Sequence, residues 1–183
     1  VSESKPVTSE NPYGLPDSCR LREASDEDLA AITAIYNQAV SSGGASADIT
    51  VQSLKEREEW LHAHAPRTRY PVVVVQQADE VVAFASLSRF HPRAGYDADV
   101  ELSYYVETGH RGAGLGTALL RWGLQSAHDG GYAMLITVIF ADNLASMALM
   151  SRFDFTRYGL LPRAAVDAVG ACHDVAYWYR RVS

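Results

Sequence analysis

The chain has 183 residues, 48% of them hydrophobic and 21% charged, with a formal net charge of -6 at pH 7. That is enough for one well-buried core and ordinary for a globular protein. It argues against nucleic acid or an anionic membrane as the main partner, since both are gripped by clustered basic residues.

Residues 1–17 hold Ser, Glu, Lys, Pro and Gly without an apolar block, so they read as an N-terminal tail, with one domain over 18–183. A short strand is expected over 19–23. Asp26 is a plausible N-cap for a helix to about 40, in which Leu29, Ile32, Ile35, Tyr36 and Ala39 keep helical spacing. A Ser/Gly loop follows, then a second helix over 54–64 before Pro66. His62 and His64 lie two residues apart, on different faces of that helix and with no evident partner, so no metal site is expected. Branched apolar runs predict strands over 70–77 and 81–89.

A fourth strand over 99–106 alternates, with Asp99, Glu101, Ser103 and Tyr105 on one face and Val100, Leu102, Tyr104 and Val106 on the other. A helix over 114–128, a buried strand over 134–140, a helix over 143–152 and strands over 156–161 and 174–180 complete an alternating α/β plan. The residues between the last two strands, 162–173, read as a loop reaching towards the site. No apolar run approaches the roughly 20 residues of a membrane helix. Two cysteines, Cys19 and Cys172, make neither a disulfide framework nor a metal site. A reduced, cytoplasmic protein is the expectation.

The most informative segment is Arg111-Gly112-Ala113-Gly114-Leu115-Gly116-Thr117, directly after the fourth strand and opening a helix. Three alternating glycines expose main-chain N–H groups, the helix adds the positive end of its dipole, and Arg111 adds a charged clamp, so the segment reads as a pyrophosphate cradle. A P-loop would require a lysine after the glycines, and a dinucleotide fingerprint would require glycine where Thr117 stands. Neither fits.

The loop resembles the acetyl-CoA loop of the GNAT superfamily of N-acetyltransferases. From about Arg20 to Arg180 further motifs follow in the order of its phosphinothricin acetyltransferase branch: Arg20-Leu21-Arg22-Glu23-Ala24, Asp26-Glu27-Asp28-Leu29, Ile35-Tyr36-Asn37, Tyr70-Pro71-Val72-Val73-Val74, Tyr96-Asp97, Glu101, Asn143-x-x-Ser146 and His173-Asp174-Val175. The resemblance implies a GNAT fold, α/β with a mixed, mostly antiparallel central sheet of about six to seven strands flanked by helices. It also implies acetyl-CoA as acyl donor, no metal, and a homodimer.

In that reading Glu101 is the base that removes a proton from the acceptor amine. Main-chain groups of Tyr104, Tyr105 and Val106 pair with the pantetheine arm. Arg111, Gly112, Ala113, Gly114, Leu115, Gly116 and Thr117 hold the pyrophosphate, and Asn143 and Ser146 border the cofactor, with Asn143 or Asp142 serving equally as an N-cap. Arg93 and Tyr96 are expected at the acceptor. The implied acceptor is a small polar primary amine, an amino-acid analogue of the phosphinothricin or methionine sulfoximine type. A polyamine, a protein N-terminus, or a non-catalytic acyl-CoA-binding module are the alternatives.

Two positions depart from the branch. Met150 stands where a histidine or tyrosine proton donor is found, and Cys172 stands where a tryptophan walls the acceptor pocket. With Met150 unable to donate a proton, either the CoA thiolate leaves unassisted or Tyr104, Tyr105, Tyr158 or a water takes that role.

Overall fold

In the computed structural model, which describes residues 11–183, the branched apolar runs form one seven-stranded sheet and the segments with helical spacing form four helices around it. In chain order these are β1 (Cys19–Glu23), α1 (Leu29–Ser42), α2 (Leu54–Ala63), β2 (Val72–Gln77), β3 (Glu80–Arg89), β4 (Asp99–Val106), α3 (Leu115–Asp129), β5 (Met134–Phe140), α4 (Leu144–Arg152), β6 (Thr156–Val166) and β7 (Cys172–Arg181). The sheet order is β1-β2-β3-β4-β5-β7-β6, and only β4 and β5 run parallel. The expected mixed, mostly antiparallel α/β architecture is the one observed.

Side-chain alternation divides the interior into two cores. Val100 and Leu102 of β4 face Leu115, Leu119 and Trp122 of α3, together with Val75, Ala85 and Leu87 from the neighbouring strands. On the opposite face Val72, Val74 and Phe84 meet Ile32 and Ile35 of α1 and Leu61 of α2. β2 is covered on both faces, which is why it reads as a run of valines rather than an alternation. α3 approaches β4 closely because residue 123 is glycine: a Cβ there would lie 2.8 Å from the Leu102 side chain. Gly123→Val is therefore expected to cost about 1–3 kcal/mol by overpacking, read as a lower midpoint in thermal unfolding.

The helix ends follow their side chains. Ser53 and Glu56 form a reciprocal cap at α2. The first helix begins later than expected. Asp26–Asp28 form a 3₁₀ turn, and the capping carboxylate is that of Asp28, which accepts Ser25 N–H at 2.8 Å and both ends of the Arg22 guanidinium at 2.7 Å.

Two expectations change. The tail assigned to 1–17 falls partly outside the described residues, but 11–17 pack on the domain. Leu15 is buried in the α3-side core, Asn11 bonds the Leu15 main chain through its side chain, and Arg121 donates to Tyr13 O. The loop expected over 162–173 is mostly strand: β6 runs on to Val166 and β7 starts at Cys172, leaving a short hairpin turn. A register shift between Leu161 and Ala165 absorbs Pro162 and the positive φ of Arg163, so pairing resumes beyond residues that read as a strand end.

The feature that creates the site is a fork. β4 stays paired with β3 as far as Val106, but pairs with β5 only over Asp99–Glu101 against Met134–Ile136. Beyond Glu101 the two parallel strands part, and no strand among the described residues takes up that edge of β4.

Candidate active site

Glu101 is the last β4 residue paired with β5, so its carboxyl stands at the apex of the fork. Residues 101–105 of β4 and 137–140 of β5 form the walls of a cleft of about 500 Å³, closed further by Tyr36, the 45–48 loop, Asn143, Ser146 and Tyr177. Burial pushes the Glu101 carboxyl above its ordinary value, with no arginine or lysine among the described residues to reverse the effect. A carboxylate so placed is a stronger proton acceptor than one on the surface.

A second cleft of about 710 Å³ shares Tyr104, Tyr105, Asn143 and Ser146 with the first, and continues over Val106, Arg111, Gly112, Gly114, Leu115, Gly116 and Thr117. The strand, glycine loop and α4 residues expected to hold a cofactor are therefore brought together. Ala113 alone of the loop is not a wall residue. Gly112 and Gly114 sit at φ +80° and +85°, a left-handed conformation that side chains resist. Gly114 is the N-cap of α3 and carries no capping side chain, so the first-turn N–H groups of the helix open onto the cleft. These residues fit a pyrophosphate, and the free edge of β4 beyond Glu101 fits an extended amide-bearing arm.

Asn143 is an N-cap, its side chain accepting Ser146 N–H at 3.2 Å, while Ser146 Oγ lies 3.5 Å from Tyr104 Oη. Both residues still border the two clefts. Burial raises the Tyr104 phenol, keeping it protonated. Met150 does not reach the cleft: it is fully buried in the α3-side core, and Thr137 Oγ1 donates to its sulfur at 3.2 Å. Helical spacing put Met150 on the face of Asn143 and Ser146, but by that depth of α4 the face has passed under the sheet. Tyr158 projects from the edge strand β6 and is half exposed, outside both clefts.

Other expected acceptor residues lie elsewhere. Arg93 and Tyr96 sit on the exposed β3–β4 connection, where Tyr96 packs on His91 and Arg93 N–H bonds His91 Nδ1; neither lines a cleft. Cys172 is exposed at the start of β7, paired with Val166, and walls no pocket. Their place among the cleft walls is taken by Tyr36 and Asp48, joined by a 2.7 Å hydrogen bond, and by Tyr177. Their signal in sequence was slight: Asp48 lies in a polar loop, and Tyr36 keeps the spacing of a core residue.

His173 is a second outcome of the fold. It is buried, stacks on Phe140 at 4.3 Å, and places its ring nitrogens 2.8 Å from Asp142 and 3.0 Å from Asp167. Asp167 also accepts Gly44, Val169 and Ala171 N–H groups, so the imidazole ties the α1–α2 loop, the start of α4 and the β6–β7 hairpin around the second cleft. The hydrogen bond to Asp167 raises the His173 pKa, and that from His173 lowers the Asp167 pKa.

The raised histidine stabilises the fold below its unfolded value of about 6.5, and this is lost as pH rises through the folded value. The lowered aspartate stabilises above its unfolded value of about 3.9, and this is lost as pH falls through the folded one. His173→Asn should therefore lower the melting temperature most between about pH 4 and 6.5, with a smaller difference at alkaline pH. An equal difference at all pH values would count against the ionic contact.

A family model described as an acetyltransferase (GNAT) domain matches residues 19–156. A methionine sulfoximine/methionine sulfone acetyltransferase of Pseudomonas paraeruginosa is 36% identical over 147 residues, covering 80% of this chain and 85% of its own. An N-acetyltransferase from Staphylococcus aureus superposes with a TM-score of 0.85 at 31% identity, covering 90% of this chain and 99% of that one. A phosphinothricin acetyltransferase from Sinorhizobium meliloti, in complex with acetyl-CoA, gives a TM-score of 0.83 at 30% identity over 90% of this chain and 88% of that one.

Proposed function

Because this chain belongs to the GNAT acetyltransferase family, we propose that it transfers acetyl from acetyl-CoA to the primary amine of an amino-acid analogue of the phosphinothricin or methionine sulfoximine type. The observation that carries this reading is Glu101, a carboxyl with a burial-raised pKa at the apex of the β4–β5 fork, within a cleft continuous with the glycine cradle.

Acetyl-CoA, when bound, supplies an activated acetyl thioester. The N–H groups of Gly112, Gly114 and Gly116 and the α3 N-terminus hold its pyrophosphate, with Arg111 at the mouth and Thr117 alongside. The main-chain groups that β4 presents on the edge left by β5, over Tyr104, Tyr105 and Val106, orient its arm and offer fixed donors to a carbonyl oxygen. Glu101 accepts a proton from the ammonium form of the acceptor, directly or through water, freeing the nitrogen lone pair. Tyr104 Oη, protonated and beside Ser146, is the proton donor on the cofactor side of the cleft. Asn143 acts through Ser146, by fixing the start of α4.

A homodimer is part of the same proposal. Leu160, Leu161 and Val166 of the edge strand β6, with Tyr158, leave apolar area exposed that a second copy would cover. Cys19 and Cys172 are free thiols, which suits a reducing cytoplasm, and no helix among the described residues is long and apolar enough to cross a membrane.

An acceptor screen reading thiol release from acetyl-CoA tests the function. Methionine sulfone, methionine sulfoximine and phosphinothricin should be acetylated in preference to polyamines and short peptides. Faster turnover of spermidine or a peptide N-terminus would overturn the acceptor class.

A further inference from the structure

We infer that Arg57 forms an oxyanion-binding subsite for the acceptor, in a side cavity that adjoins the Glu101 cleft. This rests on the proposed amino-acid acceptor and extends it to a residue outside the reaction centre. Arg57 lies on α2 and is only 5% exposed. An arginine stays charged at any ordinary pH, so burying it demands a partner. Its guanidinium carbon stands 3.8 Å from the Tyr36 ring centroid and 4.8 Å from that of Trp60, yet Nε has no hydrogen-bond partner, and no ion pair among the described residues involves Arg57. The two rings hold the cation in place and leave its directional donors unspent.

Arg57 borders a cavity of about 220 Å³ lined also by Tyr36, Asp48, Gln52, Trp60, Ser103 and Tyr105. Tyr36, Asp48, Ser103 and Tyr105 also wall the Glu101 cleft, so the two spaces adjoin. Glu101, Ser103 and Tyr105 occupy successive positions on one face of β4, which sets the oxyanion subsite a short reach from the amine-accepting carboxyl. Other buried side-chain atoms without partners, on His64, Arg67, Asp97 and Trp178, line neither space. Asp48 borders the same cavity, but its Oδ2 accepts Tyr36 Oη at 2.7 Å and Gln52 Nε2 at 3.0 Å, and among the described residues it forms no ion pair with Arg57. A zwitterion with its ammonium towards Glu101 and its oxyanion against Arg57 matches the charges at the two ends, with Asp48 bordering both spaces.

The oxyanion has two sources in such acceptors, an α-carboxylate or a side-chain phosphinate. Four probes separate them: methionine sulfone, its carboxamide, phosphinothricin, and its carboxamide, which keeps only the phosphinate. Binding is read by thermal shift and turnover by thiol release, on wild type and on Arg57→Lys. If the carboxylate is the ligand, wild type should bind and turn over both free acids at least tenfold better than both amides. If the phosphinate is the ligand, phosphinothricin and its amide should both exceed the two sulfone compounds.

In either case Arg57→Lys should shrink the preference at least tenfold through KM, with the acetyl-CoA KM unchanged. Wild type that treats all four alike overturns the subsite without reference to any variant, as does an undiminished preference in a folded Arg57→Lys protein. Oxyanion-dependent thermal shifts without thiol release would sustain the subsite while removing the proposed catalytic function.

Discussion

Glu101→Gln should lower kcat by about 10²–10⁴-fold, the range contributed by a positioned general base, and leave acetyl-CoA affinity unchanged. The substitution keeps the size and position of the side chain but removes its basicity. The carboxyl stands where β4 leaves β5, so its neighbours are strand backbone and open cleft, and burial raises its pKa with no cation among the described residues to offset it. Glutamine should be tolerated there, because no ion pair among the described residues depends on Glu101. A fall in kcat and kcat/KM together, with the acetyl-CoA dissociation constant held, marks loss of a group acting in the transition state. Unchanged kcat would remove Glu101 as the base.

Gly114→Val should abolish the rise in melting temperature that acetyl-CoA produces in wild type, a rise expected because a ligand that binds only the native state shifts unfolding. A Cβ at residue 114 meets no atom within 4 Å, so no neighbour in the protein would be displaced; the φ of +85° and the occupation of the cradle are what valine violates. The left-handed conformation alone costs about 1–2 kcal/mol for a side-chain-bearing residue. Gly131→Val is the matched control, since Gly131 has φ +70°, equally open space around its Cβ, and a position outside both clefts. It should lose similar stability yet keep the acetyl-CoA shift. If Gly114→Val retained the shift, the glycine loop would not be the pyrophosphate site.

The parts of this molecule written in local patterns were legible from sequence. The alternation of β4, the helical spacing of α1 and α3, and the glycine turn before α3 each need only a few neighbouring residues, and each element formed, α1 from a later start than expected. What escaped depends on long-range packing. Leu15 in a Pro/Gly-rich segment carries no periodic signal, and its burial is created by α3 and the strands around it. Pro162 and Arg163 look like the end of β6, and only pairing with β7 carries the strand past them.

At the site the same distinction holds. Glu101 was expected from the family resemblance and the loop from its glycines, and the structure places Glu101 in the first cleft and the loop along the second. Arg57 sits in the charged run Lys55-Glu56-Arg57-Glu58-Glu59, where an arginine reads as solvated. Its one local hint was Trp60 a helical turn away; Tyr36, the ring closer to it, comes from another helix. Met150 shows the limit of face assignments: spacing along α4 correctly groups residues, but the depth at which that face turns from cleft to core belongs to the whole fold.

The central claim is that Glu101 deprotonates the acceptor, and the pH dependence of kcat/KM for methionine sulfone at saturating acetyl-CoA tests it most directly in wild type and Glu101→Gln. The carboxyl must be ionised to accept a proton, so wild-type activity should climb through an ionisation above the ordinary glutamate range, and the Gln variant should lack that limb at every pH. A variant that keeps both the limb and the rate would contradict the account.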